Sequence, residues 1–280
     1  MNPMVFFNSE FYESKHLPIS YLPYWIFIST PVYITLFFIL GFSIQFRRFF
    51  LRFINIKETN KIEKNDLWRS NNEKFDLFIL LILLLVILIY ISSNLALLSG
   101  WRHFYFLNFF LIYFTCYSIY LFLIKARKSK QKIFFLFFCI FFFLLIQALD
   151  LYKYHPFQSS YFNNLVSKNK KEKFEIDTQS LSRVHAIKEI LKEQADLITI
   201  GTGSWTPLAD ARSLISREKW NRLNFVGTNF ENADFIYSNH YYEVDINYNK
   251  KYQVPKNFSI YKTLLIDDTM IYSIYKKNKK

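Results

Sequence analysis

The chain alternates between long uncharged apolar stretches and short charged connections in its first half, then turns to mixed polar sequence. Residues 17–46, 77–101, 104–124 and 133–148 carry no charged side chain. Crossing a hydrocarbon core of roughly 30 Å takes about 20 apolar helical residues, and each stretch reaches or approaches that length. A helix buried in a soluble core shows a polar face at a 3.6-residue period. None of the four does, so the pattern predicts four membrane spans at about 21–46, 77–99, 104–124 and 133–150. Pro31 falls inside the first and is expected to kink it.

After Leu151 the periodicity shortens and secondary-structure signals alternate. Leu181, Val184, Ile187, Ile190 and Leu191 recur at helical spacing within 180–194, with Ser180 or Ser182 as the expected cap. Leu197–Ile200 reads as a strand, 209–219 as a helix, and Leu223–Val226 and Asp234–Tyr237 as strands. Phe258–Ile266 and Met270–Tyr275 flank Asp267-Asp268-Thr269, a hairpin signal. The expected fold is a membrane all-α bundle of four transmembrane helices (1–151) followed by a small extracytoplasmic α/β domain (152–280). Gly201-Thr-Gly-Ser204 follows a strand, but it lacks the nucleotide glycine pattern and a P-loop lysine. It reads as a strand-to-helix turn.

Charge orients the spans. Arg47, Arg48, Arg52, Lys57, Lys61, Lys64, Arg69 and Lys74 fall in one connection, and 125–132 holds five more basic residues and no acid. Thirteen of the 35 basic residues thus lie in two short loops, which by the positive-inside rule are cytoplasmic. The net charge of +13 is an orientation signal, and no nucleic-acid partner is expected. The N-terminus and everything after Asp150 then lie outside, giving a multi-pass protein of the cell membrane, the bacterial inner membrane, with both termini out. No basic segment precedes the first span, so a cleavable signal peptide is not expected. Cys116 and Cys139 both sit in apolar stretches, which leaves the polar half without a disulfide. Neither a metal nor a cofactor motif is found.

Three polar-aromatic motifs fall on the predicted outer side: 16–25 ahead of the first span, 100–106 between the second and third, and 154–163 after the fourth. Trp and Tyr belong at a membrane interface as an aromatic belt. Arg102, His103, His155, Gln158, Tyr161 and Asn163 are the candidate substrate-binding residues. Cationic and hydrogen-bonding groups at headgroup level suit the phosphate of a lipid-linked substrate.

Gly-Trp-Arg-His-x-Tyr-Phe at 100–106, His-Pro-Phe-Gln-x-x-Tyr-Phe-Asn at 155–163 and Tyr-Leu-Pro-x-Trp at 21–25 resemble bacterial membrane glycosyltransferases of GT-C architecture, relatives of the protein O-mannosyltransferases. Ala233-Asp-Phe-Ile-Tyr-Ser-Asn239 is similar to a late strand of that family. The resemblance implies a polyprenyl-phosphate-linked sugar donor and transfer on the outer membrane face. It matches the C-terminal part of such enzymes, whose catalytic carboxylate lies in an earlier external loop, so no catalytic residue is assigned. Glu10 and Glu13 are expected in a solvated loop.

Three readings follow. The chain is the C-terminal part of a glycosyltransferase, incomplete alone and completed by a separate polypeptide that supplies the N-terminal half. Or it is a non-enzymatic membrane-anchored module whose soluble domain binds a partner or glycan. Or it is a minimal complete transferase with an unrecognised base. Ser92, Ser93, Asn94, Gly100 and Gln147 form a polar or small patch that a docking half would use.

Overall fold

The computed structural model describes residues 3–54, 67–68, 70–193 and 196–278. In chain order the first elements are strands β1 (Met4–Phe7) and β2 (Glu10–Glu13) and helices α1 (Tyr21–Ser29), α2 (Val32–Ile54), α3 (Asn71–Ser92), α4 (Leu107–Ala126) and α5 (Lys130–Tyr154). Then come α6 (Lys168–Lys171), α7 (Ser182–Ile190), β3 (Ile198–Thr202), α8 (Arg217–Trp220), β4 (Leu223–Gly227), β5 (Phe235–Ser238), β6 (Phe258–Ile266) and β7 (Thr269–Lys277). The chain divides into two compact units. One is Pro18–Leu97 with Trp101–Ala148, and the other is Met1–Leu17, Leu98–Gly100 and Leu149–Lys280.

The first unit is helical. Four helices, α2 to α5, are long and apolar enough to cross a membrane. Their limits differ from the sequence expectation in instructive ways. The first stretch is two helices rather than one kinked helix. Thr30 is extended (φ −102°, ψ 138°), the conformation that a following proline favours, so α1 stops at Ser29 and α2 starts afresh at Val32. α2 also runs past Phe46 to Ile54, carrying Arg47, Arg48 and Arg52 on helix rather than in a loop. Arg48 pairs with Asp76 at 2.8 Å and Arg52 with Glu73 at 2.8 Å, so acids on α3 neutralise two of the basic residues used for orientation. Lys57, Lys61, Lys64 and Arg69 lie outside the described residues.

α3 starts before its apolar run because Ser70 caps it, its hydroxyl accepting the Glu73 N–H at 3.3 Å. It ends at Ser92, several residues earlier than expected, and Ser93 turns extended (φ −111°, ψ 132°). Short α1 is held beside that end. The Tyr90 hydroxyl donates to Ile19 O at 2.9 Å, and Trp101 Nε1 donates to Ser29 Oγ at 2.9 Å.

α2 and α4 meet backbone to backbone at Gly41. A Cβ there would lie 2.0 Å from the Phe114 carbonyl oxygen, a contact that no side chain permits. Phe38 and Phe42 close edge-on over Phe114, at 5.8 and 5.6 Å between ring centroids. The Thr115 hydroxyl reaches Ile34 O at 3.1 Å. Tyr33 stacks on Phe143 of α5 at 4.8 Å and donates to Gln147 Oε1 at 3.4 Å, which gives Gln147 a partner inside the unit. Ser92 and Asn94 stay exposed.

The second unit is a five-stranded sheet in the order β4-β3-β5-β7-β6. β3 pairs in parallel with β4 and β5, while β7 runs antiparallel to β5 and β6. β5 is buried along its whole length and β3 and β7 over much of theirs, whereas β4 and β6 at the two edges are largely open. One face packs Ile200, Tyr237, Ile271 and Ile274 against Ala186, Ile187 and Ile190 of α7. The other packs Ile236 with Phe230, Ala233 and Phe258. Gly201 serves this packing, since a Cβ there would press on Phe230 at 2.9 Å.

Two expectations for this unit change. Residues 209–219 form a 3-10 stretch (Leu208–Leu214) and then short α8, with Ile215 extended between them. The first seventeen residues belong to the sheet unit. β1 and β2 form a hairpin turning at Asn8 and Ser9, both left-handed (φ 53° and 71°). Glu10 and Glu13 therefore stand on a strand rather than in a loop. The hairpin docks through Phe7 opposite Phe174 and through Ser9 N to Lys173 O at 3.1 Å. The second hairpin matches its signal, with Asp267 and Asp268 left-handed between β6 and β7.

Gly41→Ala should lower the thermal stability of the detergent-solubilised chain by about 2 kcal/mol, because α2 and α4 must separate to admit the methyl group. An unchanged midpoint would contradict this close approach.

Candidate functional site

In the sheet unit, the segment between α5 and α7 meets the end of β5 at a buried carboxylate. Asp177 is 1% exposed. It accepts from Leu181 N at 2.9 Å, Ser182 N at 3.3 Å, Ser182 Oγ at 2.5 Å and Asn239 Nδ2 at 3.1 Å. Asp177 thus satisfies the first N–H groups of α7, the role the sequence suggests for Ser180 or Ser182. Ser182 turns inward instead, 2.6 Å from the Tyr237 hydroxyl. Asn239 completes the network by accepting from Thr206 Oγ1 at 2.9 Å. Burial pushes the Asp177 carboxyl up, and the Ser182 and Asn239 donors pull it back.

Chain on both sides of this network lines a cleft of about 240 Å³. Two residues before Asp177 comes Glu175, and directly after Asn239 come His240, Tyr241 and Tyr242. Phe6 and Phe11 of the N-terminal hairpin and Asp245 complete the walls that matter chemically. Glu175 is 5% exposed. Its Oε1 accepts Phe6 N at 2.9 Å, while Oε2 has no hydrogen-bond partner among the described residues. Burial holds its proton up to about pH 7, against an ordinary value of 4.5. His240, in the left-handed region at φ 56°, is pushed by burial down to about 4. Its ring nitrogens are engaged by Tyr242 Oη at 3.3 Å and Ser273 Oγ at 3.2 Å. At neutral pH this cleft therefore holds a neutral imidazole and a carboxyl group poised to titrate.

The residues singled out from the sequence are placed as follows. Arg102 and His103 stand on the 3-10 turn Arg102–Phe104 between α3 and α4, both exposed. Neither side chain has a hydrogen-bond or ion-pair partner among the described residues. His155 and Gln158, just after α5, are exposed and meet each other at 3.1 Å between Nδ1 and Nε2. Tyr161 is half-buried, its ring edge-on to Tyr154 at 5.3 Å. Asn163 is 1% exposed, and its Oδ1 accepts Leu165 N at 3.1 Å. It closes a local turn and offers no surface to a ligand. No group of His, Cys, Asp and Glu able to hold a metal exists among the described residues.

The Glu175 cleft is absent from the sequence reading. Its lining comes from three separated segments, and 5–13 carries no strand signal strong enough to predict the hairpin that walls it. The Glu175-x-Asp177 spacing is the one local hint. Comparison with protein-family models, curated proteins and solved structures finds no match to this chain.

Opposite pH slopes follow from the two buried groups. Glu175 binds its proton more tightly folded than unfolded. Its contribution is therefore full below pH 4.5 and lost as the pH rises through 7, by about 3 kcal/mol at most. His240 does the reverse, contributing above 6.5 and losing that as the pH falls through about 4. Glu175→Gln should therefore melt above the wild type at pH 8 and level with it at pH 4.5, by thermal unfolding in detergent. Parallel wild-type and variant curves across that range would show that Glu175 titrates normally.

Proposed function

We propose that this is a multi-pass protein of the cell membrane that takes part in transferring a sugar from a polyprenyl-phosphate donor on the outer face. The observation that carries the reading is Arg102, an exposed guanidinium without a partner among the described residues, beside His103 on the 3-10 turn in the connection between α3 and α4. A guanidinium at headgroup depth with its donors free is suited to the paired oxygens of a lipid-linked phosphate. The motif containing it, 100–106, is also the one whose resemblance to the GT-C enzymes is densest.

The orientation proposed rests on the connection at 125–132, with five basic residues and no acid, lying inside. Alternation of four spans then puts 100–106 and the chain after α5 outside by connectivity. No residue is assigned as the catalytic base. The protein acts as a donor-positioning part of the reaction.

Arg102→Ala should weaken binding of a short-chain polyprenyl phosphate about tenfold, the worth of a charge-assisted hydrogen bond, while Arg217→Ala on exposed α8 leaves it unchanged. Equal affinities in both variants would remove the phosphate site and leave the non-enzymatic module. For orientation, a chain with Cys116 and Cys139 changed to Ser is given a single cysteine at Tyr248 or Lys128. Tyr248 is 92% exposed. An impermeant maleimide on intact cells should label Tyr248→Cys and spare Lys128→Cys; the reverse pattern inverts the topology.

A further inference from the structure

We propose that the cleft beside Glu175 is a binding site for an organic ammonium group, a function separate from phosphate recognition at Arg102. The charge of the cleft is the opposite of the chain's. In a protein of net charge +13, the described residues lining it include two carboxylates and neither lysine nor arginine. An anion would meet acidic groups and no lysine or arginine among these residues.

Between a neutral polyol and a cation, the open polar atoms decide. A polyol needs several donors and acceptors free around its ring. Here both nitrogens of His240 are already engaged, and Asp245 Oδ1 accepts Asn247 N at 2.8 Å. Ser9 and Asn247 lie exposed at the rim, and of the buried side-chain polar atoms in the wall only Glu175 Oε2 is an acceptor without a donor among the described residues. Leaving such an oxygen unmade is costly unless a bound group supplies the hydrogen. A primary ammonium supplies it together with the balancing charge. The aromatic walls suit the same ligand, because the faces of Phe6, Phe11, Tyr241 and Tyr242 attract cations and cover an alkyl stem. At about 240 Å³ the space admits a small alkylamine or an amine headgroup, and is smaller than the roughly 300 Å³ at which drug-sized sites begin.

Such an amine could be a soluble metabolite or a lipid headgroup, and the test separates them. Saturation-transfer NMR would follow propylammonium with the full chain in phosphatidylglycerol nanodiscs, using 1-propanol as the neutral analogue. Propylammonium should bind at least tenfold more tightly than propanol. Glu175→Gln, which keeps the shape and removes the charge, should abolish that preference. Asp245→Asn, on the half-buried loop, should reduce it less, guarding against a folding defect in the first variant. Repeating the titration in phosphatidylethanolamine nanodiscs distinguishes the sources: loss of the signal by competition identifies a lipid amine, and retention identifies a soluble one. Equal binding of propanol, or propylammonium binding unaltered by both substitutions, would overturn the site.

Discussion

The sheet unit hangs on one buried carboxylate. Asp177 accepts hydrogen bonds from the start of α7 and from Asn239 at the end of β5, so a single side chain ties a helix terminus to the central strand. A charge at this depth is tolerable only because its oxygens are saturated by donors. The consequence reaches beyond α7. Glu175 leaves the network on one side and His240 to Tyr242 on the other, so the spacing of the cleft's walls is set by the length of these bonds. The N-terminal hairpin then closes the third wall through Phe6 and its contact with Glu175.

The helical unit answers a different constraint. α5 leaves Phe134, Phe135, Phe138 and Phe141 exposed, and α3 leaves Phe78, Leu81 and Leu88 exposed. Surfaces of this kind fit a hydrocarbon solvent, where an apolar face needs no protein cover. Specific association must then come from close packing and from polar pairs. Gly41 against Phe114 supplies the first, and Arg48 with Asp76 and Arg52 with Glu73 the second. Both arginines sit toward the C-terminal end of α2 and both acids in the first turns of α3, so the pairs lie at the ends of the helices rather than in mid-span. That is where charged groups are least costly.

The two proposals assign two chemistries to the chain. Arg102 offers a free cation on a turn between apolar helices, suited to phosphate. Glu175 offers a buried carboxyl group that titrates near neutrality within the sheet unit, proposed here for an amine. Each proposal rests on a group without a partner among the described residues, and the opposite signs would favour different ligands.

Composition and periodicity alone determined the four apolar helices, the alternating strands and helices after them, and the β6–β7 hairpin. These rest on local rules: apolar length against membrane thickness, a period of two or 3.6, and two left-handed aspartates at a turn. Arg102, His103, His155 and Gln158 stand out in the sequence because their residue types are out of place in a plain interface turn, and all four are exposed. Asn163 stands out in the same way, and the structure shows it buried with its amide oxygen closing a local turn. Only the tertiary structure decided the rest. It broke the first span at Thr30, assigned the cap of α7 to Asp177, and moved Met4–Glu13 into the sheet unit. It also assembled the Glu175 cleft from segments more than 160 residues apart. A contact of that separation leaves no periodic trace in the sequence, because it depends on where folded elements bring their ends and not on what their neighbours in the chain prefer.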